Sequence, residues 1–170
     1  MPPLRPPTKA KKRINKQVNY STLVRRCIKA GDAYYLIYGE RPLTTNRARS
    51  MHHMTWSNYN KRWRETFADI AIKAQIPQLE AVEITAIPCM NGQMQDVGGC
   101  MPAIKAAIDG VVDAGVLPDD TPEYVTILKC VPPVKIQKIE GLWRGGALIL
   151  RILPTTKKHI VQIPTNWLEK

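Results

Sequence analysis

Residues 96–120 read DVGGCMPAIKAAIDGVVDAGVLPDD, and the pattern of this stretch decides how the rest of the chain is organised. Pro102 suits the first turn of a helix, where its missing N–H costs nothing. Ile104, Ile108, Val111 and Val112 follow at helical intervals and Gly115 is a natural stop, so a helix is expected over about 101–114. Lys105, Asp109 and Asp113 fall at i, i+4 and i+8, on one face. Asp96 precedes this helix, and the pair Asp119-Asp120 follows it. Such a helix is about 20 Å long at 1.5 Å per residue. Acids at its two ends therefore meet only if the chain folds back along it or if two subunits share a site.

Working outward, the polar run Asn91 to Gly99 reads as a loop, and Val82 to Ile87 before it as a strand. Further upstream, Trp56, Tyr59, Trp63, Phe67, Ile70 and Ala74 mark a helix over about 56–74, with Ser57 as candidate cap. A proline-marked loop, Arg41 to Arg47, separates it from the strand Tyr34 to Tyr38. Leu23, Cys27 and Ile28 predict a short helix capped by Asn19 or Ser21 and stopped by Gly31. Downstream, a strand is expected from Tyr124 to Val131, then a Gly141–Gly146 turn, then a strand from about Ala147 to Leu153. The fold class is α+β in the order βαβαββ: a mixed four-stranded sheet, two main helices and a basic N-terminal arm. The expected divisions are a partly disordered extension over 1–33, a domain over 34–153 and a tail over 154–170.

The 170 residues carry 25 Lys and Arg against 14 Asp and Glu, a formal charge of +11. Nine of the cations lie in residues 1–30 with no acid, so the basicity belongs to the arm and the body is nearly neutral. Such a block is either a polyanion contact or a solvated tail. No window is apolar enough for a membrane span, and the first residues lack the apolar core of a secretory signal. A cytoplasmic protein with no membrane partner is expected. Four scattered cysteines without a Cys-x-x-Cys pair argue for reduced thiols rather than zinc. His52 and His53 read as loop surface.

If Asp96, Asp119 and Asp120 converge, their mutual repulsion favours a divalent cation, and all-oxygen ligation suits Mg²⁺ or Mn²⁺. The competing reading of Asp119-Asp120 before Thr-Pro is turn chemistry. Lys105 reads either as a surface ion-pair partner or as a group set against a scissile phosphate. For DNA, Lys9, Lys11, Lys12 and Arg13 in the arm supply phosphate contacts, extended by Arg47, Arg49, Lys61, Arg62 and Arg64. No single helix carries a set of residues suited to base edges, so recognition by shape is expected.

The stretch from Asp96 to Asp120 resembles the RusA family of Holliday-junction resolvases. The family pattern is an Asp-x-Asp-Asn loop, a helix with Lys-Ala-x-x-Asp, then Gly-x-Leu-x-Asp-Asp. Pro42 to Asn46 resembles the family's Pro-x-x-x-Asn segment, and Trp56 to Ala68 takes the place of its first helix. The resemblance covers about 34–153. It implies a homodimeric, Mg²⁺-dependent endonuclease that cuts branched, four-way DNA and takes no small-molecule substrate. Carried across, Asp96 matches the first acid, Asp120 the distal acid with Asp119 beside it, and Lys105 the lysine. The second acid falls on Gly98 and the asparagine on Gly99. Asp96, Asp120 and Lys105 are then the expected catalytic residues, with Asp96, Asp119 and Asp120 as metal ligands. The alternative is a non-catalytic junction-binding protein, given Gly98; a weaker one is a module that binds nucleic acid through its arm alone.

Overall fold

The computed structural model describes residues 23–137 and 145–156. The arm cluster Lys9, Lys11, Lys12 and Arg13 and most of the 154–170 tail lie outside them, as does most of the Gly141–Gly146 turn. Six strands and three helices follow in the order β1 (Arg25–Ala30), β2 (Ala33–Tyr38), α1 (Thr45–Arg49), α2 (His53–Lys73), β3 (Ala81–Met90), α3 (Met101–Asp113), β4 (Val125–Cys130), β5 (Val134–Lys135) and β6 (Gly146–Thr155). The fold is α+β with a mixed sheet. Among the described residues it has six strands rather than four, ordered β1-β2-β6-β3-β4, with β5 also on β3. β3 runs parallel to β4 and β5 and antiparallel to β6, and the remaining pairs are antiparallel.

The first correction lies at the N-terminal edge. Residues 25–30, expected in a helix within the 1–33 extension, form strand β1, hairpinned to β2 through Gly31-Asp32. Gly31 takes φ 58°, which suits the first central residue of a two-residue II′-type turn. Arg25 and Lys29 then lie over the rings of Tyr38 and Tyr34, at 5.6 and 5.3 Å from the centroids. The cations also blunt an exposed sheet edge.

Alternation along the strands sends Leu36 and Tyr38, Val82, Ile84 and Ala86, and Leu148, Leu150 and Ile152 into one fully buried layer. Helices α2 and α3 cover it. From α2 come Trp63, Phe67 and Ile70, and Trp63 and Phe67 stack with centroids 6.0 Å apart. From α3 come Ile104 and Val111 between the small residues Ala103, Ala106, Ala107 and Gly110. Those small residues let the two helices approach closely. A Cβ on Gly110 would fall inside contact distance of the Arg64 carbonyl oxygen, with Phe67 Cβ at 3.0 Å and Ala68 N at 3.1 Å. Gly110 is thus a space requirement, not a backbone one.

Two helix starts differ from expectation. α2 begins at His53, and His52 caps it by accepting from the Met54 N–H at Nδ1, 3.3 Å. Ser57 lies inside the helix. The first turn is exposed, so core periodicity did not mark it. The Arg41–Arg47 segment, expected as loop, ends in the short helix α1 capped by Thr44. Among the described residues no helix is long and apolar enough to cross a membrane. All four cysteines are free thiols. Burial pushes the Cys100 thiol up to about 11, outweighing the nearby Arg41 charge.

Candidate functional site

Three segments meet at the end of the sheet where β2 and β3 finish and β6 begins. Between them runs a groove of about 970 Å³, walled by Arg41–Thr44, by α1 and α2, and by the loop around Gln93 and Gln95. The walls are tied together. Arg41 donates to the carbonyls of Asn91 and Gln93 at 3.1 and 2.8 Å, which pins the loop after β3. The Leu43 N–H donates to the Tyr59 hydroxyl at 2.9 Å, which pins the segment to α2. The Thr45 N–H donates to the Gly99 carbonyl at 2.8 Å, so α1 is fastened to the turn that carries Asp96.

Under the groove lies a buried ionic network. Glu40, 6% exposed, takes both guanidinium nitrogens of Arg62 and also the Tyr38 hydroxyl at 2.6 Å. Arg62 also donates to that hydroxyl at 3.1 Å and lies over the Tyr59 ring. Burial, with Glu40 beside it, holds the Tyr38 phenol well above its ordinary range. Removing one member of such a set strands a buried charge.

The acidic stretch does fold back. Lys105, one turn into α3, bonds both Asp109 on the next turn and Asp120 from the returning loop. Asp119 stays exposed and bonds its own turn instead, accepting the Asp120 N–H at 2.7 Å. Asp96 lies at the turn before α3, where its carbonyl accepts the Gly99 N–H at 3.1 Å and its carboxylate lies over Gly99. Lys105 and Asp120 are thus brought together, and among the described residues no three His, Cys, Asp or Glu groups gather as metal ligands. Partial burial pulls the Lys105 ammonium down, but Asp109 and Asp120 outweigh it and the net shift is upward. Asp120 is lowered, first by the hydrogen bond from Lys105.

That shift has a sign. A carboxyl depressed on folding adds stability above its unfolded pKa and loses it as pH falls through the folded value. With Lys105 and Asp120 side chains 57% and 31% exposed, solvent screening keeps the contribution small. Lys105→Met is expected to raise the Asp120 midpoint towards the ordinary carboxylate range, read by carboxyl-carbon NMR titration; an unmoved midpoint contradicts the pairing.

The expected DNA-binding cations divide. Arg62 is bound to Glu40, and Arg64 clamps α2 to α3 through two hydrogen bonds to Asp113, at 2.9 and 2.7 Å. Both are engaged in ion pairs within the fold, Arg62 with its side chain 27% exposed and Arg64 with its side chain 41% exposed. Arg47 and Arg49 are exposed, with no side-chain partner among the described residues. Arg47 lines the groove. Sequence reasoning missed Arg41, whose role depends on carbonyls some fifty residues away, and missed the groove itself. No protein-family model and no curated protein matches the chain.

Proposed function

We propose that the protein is a Mg²⁺-dependent, structure-selective endonuclease that cuts phosphodiester bonds at four-way DNA junctions, working in recombination and repair as a homodimer. The observation that carries this reading is the return of the Asp119–Asp120 loop along α3, which sets Asp120 against Lys105 on the helix that begins just after Asp96. The likeness of this stretch to the resolvase motif supports it. So does a groove beside it that exposes Arg47.

Asp96 and Asp120 offer hard carboxylate oxygens, the donor class Mg²⁺ takes. Mg²⁺ uses one or two protein carboxylates and fills its other positions with water and substrate phosphate. The donor chemistry of the two carboxylates fits the ion even with Gly98 in place of a second acid, although no contact brings Asp96 and Asp120 together among the described residues. Bound there, Mg²⁺ supplies an activated water and neutralises charge at the phosphate. Lys105, held protonated by its two carboxylates, is unsuited to act as a base at neutral pH. Its role is to place a positive charge beside the scissile phosphate. Arg47 and Arg49 hold flanking phosphates, and the arm adds more.

The test is purified protein with a synthetic four-way junction, with and without Mg²⁺. Nicks at the branch in Mg²⁺ alone support the reading, and no cleavage in either overturns it. A second reading, a junction-binding protein without catalysis, is favoured by Gly98. Among the described residues nothing lies within 4 Å of where a Cβ on Gly98 would stand. The same open space admits a side chain. If the native protein binds without cutting, Gly98→Asp is expected to restore cleavage on the junction.

The arm is tested separately. Because β1 belongs to the sheet, the deletion must stop before it. Removing residues 1–22 takes away Arg5, Lys9, Lys11, Lys12, Arg13 and Lys16 and leaves every described strand. Each lost phosphate contact is expected to lower the log–log salt slope of DNA binding by about 0.9. The melting temperature is expected to hold. An unchanged slope would make the arm a passive tail.

A further inference from the structure

Asn58 on α2 and Gln93 and Gln95 in the loop after β3 come from distant segments, yet they line the same groove. None of the three amides has a side-chain partner among the described residues. Each offers an N–H donor beside a carbonyl acceptor, the combination that pairs with a base edge. Met51, partly exposed, with the largely buried Pro42, gives the groove an apolar wall, and Arg47 stands exposed at its side. The volume, about 970 Å³, lies within the range of sites that enclose a small organic ligand. Apolar wall, paired donor and acceptor, and cation match the face, edge and phosphate of a nucleotide.

We infer that this groove receives a single unpaired nucleotide of the DNA strand beside the Asp96–Lys105 site. The inference rests on the nucleic-acid reading above and adds direct reading of a base to shape recognition. A base within a duplex has its pairing edge occupied and its faces stacked, so it cannot reach both wall and amides. A branch point supplies bases whose unstacking is least costly. Arg47 then holds the phosphate, Pro42 and Met51 cover the face, and Asn58, Gln93 and Gln95 meet the edge.

The experiment uses the full chain and two DNAs with 2-aminopurine at one position: a four-way junction labelled at the branch, and a single strand of the same sequence. Binding is followed in Ca²⁺, so that capture is read without cleavage. The fluorescence of the label is expected to change on binding as it leaves its neighbours, in the junction and in the single strand. In the Asn58→Ala/Gln95→Ala variant that response is expected to vanish, and single-strand affinity to fall about tenfold, the effect of losing one good base-edge pairing. Asn58 is exposed and Gln95 partly exposed, and neither belongs to the core, so folding is expected to be preserved, checked by circular dichroism. Binding with a silent label, or a variant that keeps the native response, overturns the inference. Failure of junction cleavage with the single-strand response intact removes the endonuclease reading and leaves the nucleotide site standing.

Discussion

Asp96→Asn and Asp120→Asn are each expected to lower Mg²⁺-dependent junction cleavage by about a thousandfold, the scale of losing a principal electrostatic contributor. Binding is expected to stay within about twofold, because the phosphate contacts proposed for Arg47, Arg49 and the arm lie elsewhere. Each amide keeps the shape of the acid and loses the charge that holds a divalent cation. Asp120→Asn also weakens the tie to Lys105, but both partners are partly exposed and stability should change little. Single-turnover cleavage and a mobility-shift titration separate the two effects. Wild-type rates in both variants would remove these acids from the chemistry.

Gly110→Ala is expected to destabilise the protein by about 3 kcal/mol, at the upper end of overpacking costs, because the obstacle is a backbone carbonyl rather than a movable side chain. The sign is informative. In an open helix the same change stabilises by about 1 kcal/mol. Here the added methyl meets the Arg64 carbonyl oxygen and pushes α3 away from α2, loosening the seat of Trp63 and Phe67. At roughly 2–4 °C per kcal/mol for a chain of this size, the melting point should fall by about 10 °C. A melting point at or above the native value would mean that the helices do not approach this closely.

The strands and the two long helices were legible because each buries one face and so writes its period into the sequence. Trp63, Phe67 and Ile70 announce α2, and Ile104, Ile108 and Val111 announce α3. The N-terminal hairpin was misread, although its signal was present. Gly31-Asp32 between two runs of about six residues is hairpin chemistry. The spacing of Leu23, Cys27 and Ile28 suggested a helix instead, since an exposed edge strand has too few buried residues to show alternation. α1 and the first turn of α2 were missed for the same reason.

The candidate site divides along a different line. Helix length posed the question of whether the Asp119–Asp120 loop returns along the chain, and Asp120 does come back to Lys105, a partner the sequence reading does not name. The ion pairs of Arg62 and Arg64 were not legible either. Their partners, Glu40 and Asp113, lie 22 and 49 residues away, and only tertiary packing brings them near. The amides of the groove were invisible likewise, since no local pattern links Asn58 to Gln95.

The attachment of β1 sets a mechanical limit on the arm. The Val24 carbonyl accepts the Gly39 N–H at 2.8 Å, and Gly39 adjoins the Glu40–Arg41 wall of the groove. The cationic segment is therefore leashed at the groove's rim. At no more than about 3.6 Å per residue, chain length alone limits Lys16 to within roughly 25 Å of Leu23 and Lys9 to within roughly 50 Å. If the groove seats a DNA strand as proposed, that strand would meet the arm in a unimolecular step, at a local concentration set by the leash rather than by the solution. Arm and groove should dissociate as a chelate does: one contact releases and re-forms many times before both let go together.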